Sequence, residues 1–307
     1  MLEKYLLRSP TREHDRAVFD LILRCDQRDV GFADSDIEDL QHDWNTIDLT
    51  KDAWLAIDAS GHLRGYAACV PWDDGIQLMI YDDPGTESTD LFQGLLLFSG
   101  QRASAILREK NDPLKRSIHI FLYEQARLQN RVAVEAGYSI KKYIFNMHRD
   151  LDGDLLEPVF PESIRIRNAV TGQDERAIHA FIQQAFDWHE RTPQPFDEWK
   201  GSLMRPEIYD EKLWFLAMQG DELIGTCLCM KRSTMGWIRQ LAVKNSLRKL
   251  GIGRALLEHA FVIFKELGFQ KAGLAVESEN PNAIHFYQTA GMVKAVHLNE
   301  YVKEIQI

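Results

Sequence analysis

The residues best suited to chemistry form a short basic turn, RKLGIGR, at positions 248–254. Its two glycines, Gly251 and Gly253, allow a tight turn and let a ligand approach the backbone closely. Helical apolar spacing starts directly after the first glycine, so unpaired N–H groups and the helix dipole should favour an anion there. The turn also carries three basic side chains, Arg248, Lys249 and Arg254. Together these features favour binding of a pyrophosphate group.

Two familiar pyrophosphate motifs do not fit this turn. A dinucleotide-binding fold requires G-x-G-x-x-G, but Leu256 occupies the third glycine position. A P-loop requires Gly-Lys followed by Ser or Thr, but Arg254 and Ala255 follow Gly253. The turn therefore belongs to another class of pyrophosphate site, or is an ordinary glycine-rich turn.

A second segment with chemical potential lies downstream, at positions 280–292 (NPNAIHFYQTAGM), after a predicted strand over Lys271–Glu277. Asn280 is a suitable helix cap, and proline suits the first helical position. Ala283 is small enough to permit close packing, and Tyr287 follows one turn later on the same face. Taken alone, such a tyrosine is more often a core aromatic residue than a functional one.

The two segments together resemble the GNAT acetyltransferase superfamily. That family has a hydrophobic strand, then [RQ]-x-x-G-x-[GA], then a helix. It also has N-x-x-A-x-x-x-Y-x-x-x-G-F about thirty residues downstream. In this chain Met292 replaces the final Phe. The first motif is matched by Arg248, Gly251 and Gly253, and the usual strand ending by Leu241-Ala242-Val243.

The resemblance implies a site for acetyl-CoA where two neighbouring strands, those carrying Val243 and Ala275, separate. An amine would attack the thioester directly, a backbone N–H near Val243 would stabilise the oxyanion, and Tyr287 would protonate the departing thiolate. Asn280 would hold the pantetheine arm. The cofactor-binding residues expected from the resemblance are Leu241, Ala242, Val243, Arg248, Lys249, Leu250, Gly251, Ile252, Gly253, Arg254, Asn280, Asn282, Ala283 and Tyr287.

The general base is where the sequence departs from the family pattern. Many relatives carry a glutamate on the central strand, but this strand offers Trp237, Arg239 and Gln240. Glu277, at the end of the next strand, is the first candidate, although it also suits helix-entry charge. The alternative bases are Asp187, His189 and Glu190, which lie in the segment where relatives bind the acceptor. Ordered water could also relay the proton in place of a side chain.

The composition indicates which broad classes of protein the chain resembles. The chain has 307 residues, a net charge of −10 and 45% hydrophobic residues, typical of a globular protein and unlike a nucleic-acid-binding one. No run approaches the length of a membrane span, and the charged start does not resemble a secretion signal. The four cysteines, Cys25, Cys69, Cys227 and Cys229, show no zinc spacing. We therefore expect a cytoplasmic monomer or homodimer with reduced thiols and no metal.

The order of predicted elements indicates two similar halves. Residues 1–150 form a first domain, 151–161 (LDGDLLEPVFP) a linker, and 162–307 a second domain. In the second domain we expect a helix from Thr171, as its cap, to Trp188, and a final strand pair near Val293 to Ile305. The predicted fold class is α/β: tandem GNAT-like domains, each a mixed, mostly antiparallel sheet flanked by helices.

The repeat is visible in residues too, since VAVEAGY at 132–138 aligns with FYQTAGM at 286–292. Ala133 then stands opposite Tyr287. The first-half equivalent of the basic turn, residues 83–90 (DPGTESTD), has one glycine, no basic residue and several acids, which would repel phosphate. We therefore expect a degenerate N-terminal domain, a catalytic C-terminal domain and one acetyl-CoA per chain.

The function that the sequence favours is N-acetyl transfer from acetyl-CoA to a primary amine of a small molecule. The tandem layout is similar to that of the mycothiol synthases, although layout does not fix a substrate. Two alternatives stay open: acetylation of a protein N-terminus or lysine, and non-catalytic acyl-CoA binding. The joint presence of Asn280 and Tyr287 disfavours the latter.

Overall fold

The computed structural model describes residues 2–86, 90–112, 114–186 and 194–306, and within them twelve strands and nine α-helices. The strands are β1 (Leu6–Arg8), β2 (Ala53–Ile57), β3 (Leu63–Trp72), β4 (Gly75–Asp82), β5 (Ser117–Tyr123), β6 (Ser139–Asp150), β7 (Ile164–Asn168), β8 (Trp214–Gln219), β9 (Glu222–Lys231), β10 (Gly236–Val243), β11 (Lys271–Glu277) and β12 (Val293–Glu304). The helices are α1 (Asp15–Asp29), α2 (Ile37–Thr46), α3 (Leu49–Asp52), α4 (Asp90–Lys110), α5 (Arg127–Glu135), α6 (Glu175–Ala185), α7 (Phe196–Leu203), α8 (Ile252–Glu266) and α9 (Pro281–Thr289).

The chain divides into two compact units. The N-terminal unit contains residues 1–145, 277–279 and 296–307, and the C-terminal unit contains 146–276 and 280–295. This differs from the sequence-based division, because residues 146–150 belong to the C-terminal unit, whereas residues 277–279 and most of β12 belong to the N-terminal unit. The expected final strand pair is also wrong: β12 is a single twelve-residue strand.

In the N-terminal unit the sheet has the order β1-β2-β3-β4-β5-β12. The recorded neighbours are antiparallel except β4 and β5, which are parallel. One core lies between the sheet and α1 with α2, and includes Leu21 and Trp44. The other lies against α4 and α5 and includes Phe92 and Val132. Helices therefore cover both faces of this sheet.

The C-terminal unit repeats this plan with the order β7-β8-β9-β10-β11, in which β10 and β11 are the parallel pair. On one face, α6 and α7 pack their apolar side chains against Trp214 and Ala242. On the other face lies α8, whose Phe264 ring would be only 2.3 Å from a Cβ added at Gly236. The predicted mixed, mostly antiparallel sheet flanked by helices is confirmed.

Helix ends follow the local sequence at three glycines but not at the start of α6. Gly137, Gly268 and Gly291 follow helix ends with φ of +86°, +88° and +79°, the left-handed geometry that glycine accepts readily. The expected cap at Thr171 is wrong, because α6 begins at Glu175. The Thr171 hydroxyl instead bonds the Glu211 carboxylate, at 2.6 Å between oxygens.

Candidate functional site

The separation of β10 from β11 is the feature on which the site is built. Their parallel pairing covers Gly236–Ile238 against Ala272–Leu274. Past Ile238 the register of β10 against β9 shifts at Arg239, and the pairing with β9 then continues to Val243. Such a bulge bends a strand and increases its twist. The end of β10 therefore stays bound on one side, while Arg239 on β10 and Ala275 on β11 are exposed.

The basic turn follows the free end of β10. Gly251 is the N-cap of α8 with φ of +86°, and as a glycine it has no side chain to accept from the first N–H groups of the helix. Lys249 also adopts a left-handed φ, of +66°, which is uncommon for a residue with a side chain. A Cβ at Gly253 would lie 3.4 Å from Val243 Cγ2, an ordinary contact. The turn thus offers unobstructed backbone donors at a helix start, which suits a pyrophosphate.

The basic side chains of the turn have defined partners. Arg248 donates to the carbonyl of Ala185 at 2.9 Å and, more weakly, to that of Val243 at 3.4 Å. Arg254 forms an ion pair with Glu258 one turn along α8. Arg248 therefore links the turn to the end of α6. The carboxylate of Glu258 partly offsets the positive charge that Arg254 presents to a ligand.

The second predicted segment forms the start and body of α9. The Asn280 side chain accepts from the N–H of Ala283 at 3.0 Å, and Pro281 takes the first helical position, so the predicted cap is confirmed. Ala283 is partly buried, and Asn282 is exposed. Because the cap uses the Asn280 oxygen, the amide NH₂ of Asn280 is the donor group that this side chain could offer to a ligand.

Tyr287 lies in the middle of α9, partly buried and edge-on to Phe286. Burial raises the pKa of its phenol well above the ordinary value, and the nearby Cys227 thiol adds to the shift. The phenol is therefore protonated at neutral pH, as a general acid must be. Cys227 and Cys229 share one face of β9, with sulfurs 3.6 Å apart and both thiols free, as their spacing predicted.

The candidate bases are less well defined. Glu277 forms an ion pair with Lys142 at 3.0 Å, and both residues belong to the N-terminal unit. The rival residues Asp187, His189 and Glu190 lie outside the described residues. Sequence reasoning therefore named a glutamate that has a cationic partner, which no local pattern could reveal.

In the N-terminal unit, side chains occupy the space where the equivalent strands, β4 and β5, separate. β4 and β5 pair over Gly75–Leu78 and Ser117–Ile120 before they separate. The buried Asp82 at the end of β4 receives Gln129 at 3.1 Å and an ion pair from Arg28 at 3.4 Å. A cavity of about 120 Å³ is left beside them.

Charges around the N-terminal turn include a contribution that sequence reasoning missed. The turn itself carries acids, as predicted, but Arg24 and Arg64 both bond Asp83, at 3.1 and 2.6 Å. Burial disfavours ionisation of Asp83, but the hydrogen bonds and charges of the two arginines outweigh this effect, so the pKa of Asp83 is lowered. Burial raises the pKa of Asp82, against the opposing effect of Arg28. Arginines from α1 and β3 thus form ion pairs with Asp82 and Asp83. The sequence did not indicate these pairs, because the partners are far apart along the chain.

Comparison with known proteins agrees with this geometry. Residues 175–292 match the model of the Acetyltransferase (GNAT) family. The mycothiol acetyltransferase of Amycolatopsis mediterranei is 27% identical over 174 residues, which cover 53% of this chain and 58% of that protein. The chain therefore spans less than two thirds of the length of that relative.

Two solved structures match over the whole chain. A GCN5-related N-acetyltransferase from Sphaerobacter thermophilus aligns with a TM-score of 0.86 and 26% identity, over 99% of this chain and 97% of that one. A tandem GNAT protein from the clavulanic acid biosynthesis pathway aligns with a TM-score of 0.74 and 12% identity, over 99% of both chains. The latter shows the fold alone.

These findings define the class of protein. Residues 175–292 match the GNAT family of acetyltransferases, and the chain as a whole has the tandem GNAT fold. Within the described ranges no helix is long and apolar enough to cross a membrane. The same residues contain no group of three or more His, Cys, Asp or Glu side chains placed to hold a metal ion.

Proposed function

We propose that the C-terminal unit transfers an acetyl group from acetyl-CoA to a primary amine of a small molecule by direct attack. The observation that carries this proposal is the separation of β10 from β11 beside the glycine turn of α8. The opening has free backbone donors at one end and the protonated phenol of Tyr287 on the adjoining helix. These are the groups that an acyl-CoA thioester requires.

The cofactor would be held mainly by backbone. N–H groups of Gly251, Ile252 and Gly253 would donate to the pyrophosphate, because the N-cap of this helix is a glycine with no side chain to bind them. The freed edge of β10 near Leu241 and Val243 would pair with the pantetheine arm, and the Asn280 amide would bind it from α9. Lys249, Leu250 and Arg254 border the turn and would shape its outer side, with Leu250 exposed.

The chemistry on this chain consists of stabilising one oxygen and moving two protons. A backbone N–H near Val243 would donate to the thioester oxygen as negative charge develops there. Tyr287 would give its proton to the departing sulfur. Its raised pKa keeps the phenol protonated before the reaction and also makes it a weaker acid, so its contribution would come from delivering a proton at the departing sulfur and not from acid strength.

The proton of the attacking amine requires an acceptor, and Glu277 is our first candidate for it. Its ion pair with Lys142 favours the ionised carboxylate but also reduces its basicity. A proton relay through ordered water to Glu277, or to Asp187, His189 or Glu190, would meet the same need. A small-molecule acceptor is supported by the mycothiol acetyltransferase relatives, whose name specifies that class of acceptor for them.

The test is a thiol-release assay with acetyl-CoA and three groups of acceptors: small primary amines, peptides with free N-termini and lysine peptides. We expect turnover with small amines and little with either peptide group. Turnover confined to peptides would favour protein acetylation. Tight acetyl-CoA binding without turnover of any acceptor would indicate a binding protein and contradict the proposal.

A further inference from the structure

Gln240 lies at the point where β10 becomes free of β11. It is the first residue after the register shift at Arg239, and it pairs with Leu228 of β9. Ala242, two positions later and hence on the same face, packs in the core formed by α6 and α7. The Gln240 side chain therefore projects from the open end of β10 toward those helices, and it is partly exposed.

The orientation of the Gln240 amide is settled by one hydrogen bond. The Trp199 indole of α7 donates from Nε1 to Gln240 Oε1 at 3.1 Å, and Trp199 is 1% exposed. An indole N–H can only donate, so the atom facing it must be the amide oxygen. A flipped amide would set two donors against each other and leave the buried indole N–H unsatisfied. Trp199 thereby holds Gln240 in one of its two orientations.

This arrangement leaves the amide nitrogen of Gln240 as a pair of N–H donors. Within the described residues Trp199 is the single hydrogen-bond partner of this side chain, and the nitrogen is not among the fully buried polar atoms. The donors therefore lie at the accessible mouth of the strand separation, on the face of α6 and α7. Neither Oε1 nor the amide nitrogen of a glutamine can accept a proton at neutral pH, so this position supplies recognition and not basicity.

We propose that Gln240, oriented by Trp199, is a specificity residue that donates to an oxygen atom of the acceptor close to its amino group. The substrate class is thus narrowed to primary amines with a neighbouring carbonyl, carboxylate or hydroxyl oxygen. This inference rests on the proposed function, because it requires an amine acceptor in the opening. A site built to donate to such an oxygen disfavours analogues that lack it, since its polar groups are then left unpaired.

Two substitutions separate the donors from the bond to Trp199. Gln240→Glu keeps an oxygen for the indole but removes both donors. Gln240→Met removes the donors and the oxygen without adding charge. If both variants lose the same preference, neither the new charge nor the lost indole bond explains it. Gln219→Glu, at an exposed position on β8, is the matched control for an added carboxylate.

The assay compares paired amines with and without the oxygen: glycinamide and ethanolamine against propylamine, and glucosamine against cyclohexylamine. For the wild type we expect higher kcat/KM on the oxygen-bearing members. Both Gln240 variants should reduce that preference about tenfold, the effect of one hydrogen bond. Acetyl-CoA affinity, measured by calorimetry, should stay unchanged in both, and Gln219→Glu should behave as the wild type.

Two results would overturn the inference. One is a wild type without preference within the pairs, and the other is a Gln240→Glu variant with unaltered preference. A uniform fall in kcat on every amine would instead place the donors on the thioester oxygen and also contradict it. If the wild type acetylates none of the amines, the proposed function fails first, and that failure is distinguished by the absence of thiol release altogether.

Discussion

The equivalent strand pairs of the two units differ where their strands separate: side chains fill the gap beside β4, whereas the gap beside β10 is open. β4 and β10 both have eight residues, begin with glycine and pair with a parallel strand only over their first residues. At its end β4 has the buried Asp82, bound by Arg28 and Gln129, whereas β10 has the partly exposed Val243. The register of β10 shifts at Arg239, and that of β4 against β3 is regular. A shared fold therefore creates the opening, and a few side chains decide whether it is filled.

The helix that follows each strand pair shows the same contrast. Tyr287 on α9 stands where α5 has Ala133, a residue that is fully buried. The proposed acid is thus present in the unit with the open strand pair, and the aligned position in the other unit has no ionisable side chain. This difference is the basis of our proposal that the N-terminal unit does not transfer acetyl groups itself.

The largest effect should come from filling the turn of the C-terminal unit. Gly253→Val places a side chain where the pyrophosphate would lie and displaces it from the backbone donors. Loss of about two charge-assisted hydrogen bonds should weaken acetyl-CoA binding by roughly a hundredfold or more. Calorimetric titration measures this directly. Circular dichroism should show an intact fold, because an added Cβ makes only ordinary contacts.

The matched control is Gly85→Val in the N-terminal turn, where a Cβ would also meet only ordinary contacts, at 3.6 Å from Asp83. This variant should bind acetyl-CoA as the wild type does, with one molecule per chain. A wild-type stoichiometry of two that falls to one in Gly253→Val would show that both units bind cofactor.

The next effect concerns the acid. Tyr287→Phe should lower kcat by about a hundredfold, the usual contribution of a positioned acid, and leave acetyl-CoA affinity nearly unchanged. Tyr138→Phe, which alters a buried tyrosine of the N-terminal unit, is the control and should retain activity. Equal kcat values for Tyr287→Phe and the wild type would make Tyr287 a packing residue. Steady-state and binding measurements on the same preparations separate the two cases.

A third difference between the units is how they hold a buried histidine. His119 in the N-terminal unit lies between two carboxylates, 2.9 Å from Glu300 and 2.7 Å from Asp74. In the C-terminal unit, burial and, to a smaller extent, the positive charges of Lys271 and Arg232 together lower the pKa of His148 to about 4. The folded C-terminal unit therefore favours neutral His148.

Acid should consequently destabilise the protein through His148. Below its ordinary pKa near 6.5 the unfolded chain takes up a proton that the folded chain resists, so stability falls as pH decreases from about 6.5 to about 4. Between pH 7 and pH 5 the loss should be about 2 kcal/mol in the free energy of unfolding. Urea denaturation at the two pH values measures it. His148→Gln should remove this part of the pH dependence, and His62→Gln, at an exposed position, should not.

The smallest effect should come from the arginine of the basic turn. Arg248→Ala removes the bonds to Ala185 and Val243 and one positive charge, so acetyl-CoA affinity should fall about tenfold. The control is Arg24→Ala, which removes an arginine from the N-terminal turn. An equal loss in both variants would mean that net charge, and not the placement of Arg248, controls binding.

The sequence by itself determined the fold class and the elements of the candidate site. Local rules were sufficient there, because glycine positions, the Asn280 cap and helical spacing depend on neighbours in the chain. Both motif segments were identified with their strand, turn and helix in the right order. The cap expected at Thr171 failed because its hydroxyl had a stronger distant partner in Glu211.

Only the tertiary structure decided which groups meet. The ion pair of Glu277 joins residues 135 positions apart, and the bond that orients Gln240 joins residues 41 apart. Arg24 and Arg64 both pair with Asp83, which offsets part of the charge of a turn that appeared purely acidic along the chain. The assignment of most of β12 to the N-terminal unit is of the same kind. Such contacts depend on how strands and helices pack in space, and no periodicity or local charge pattern encodes them.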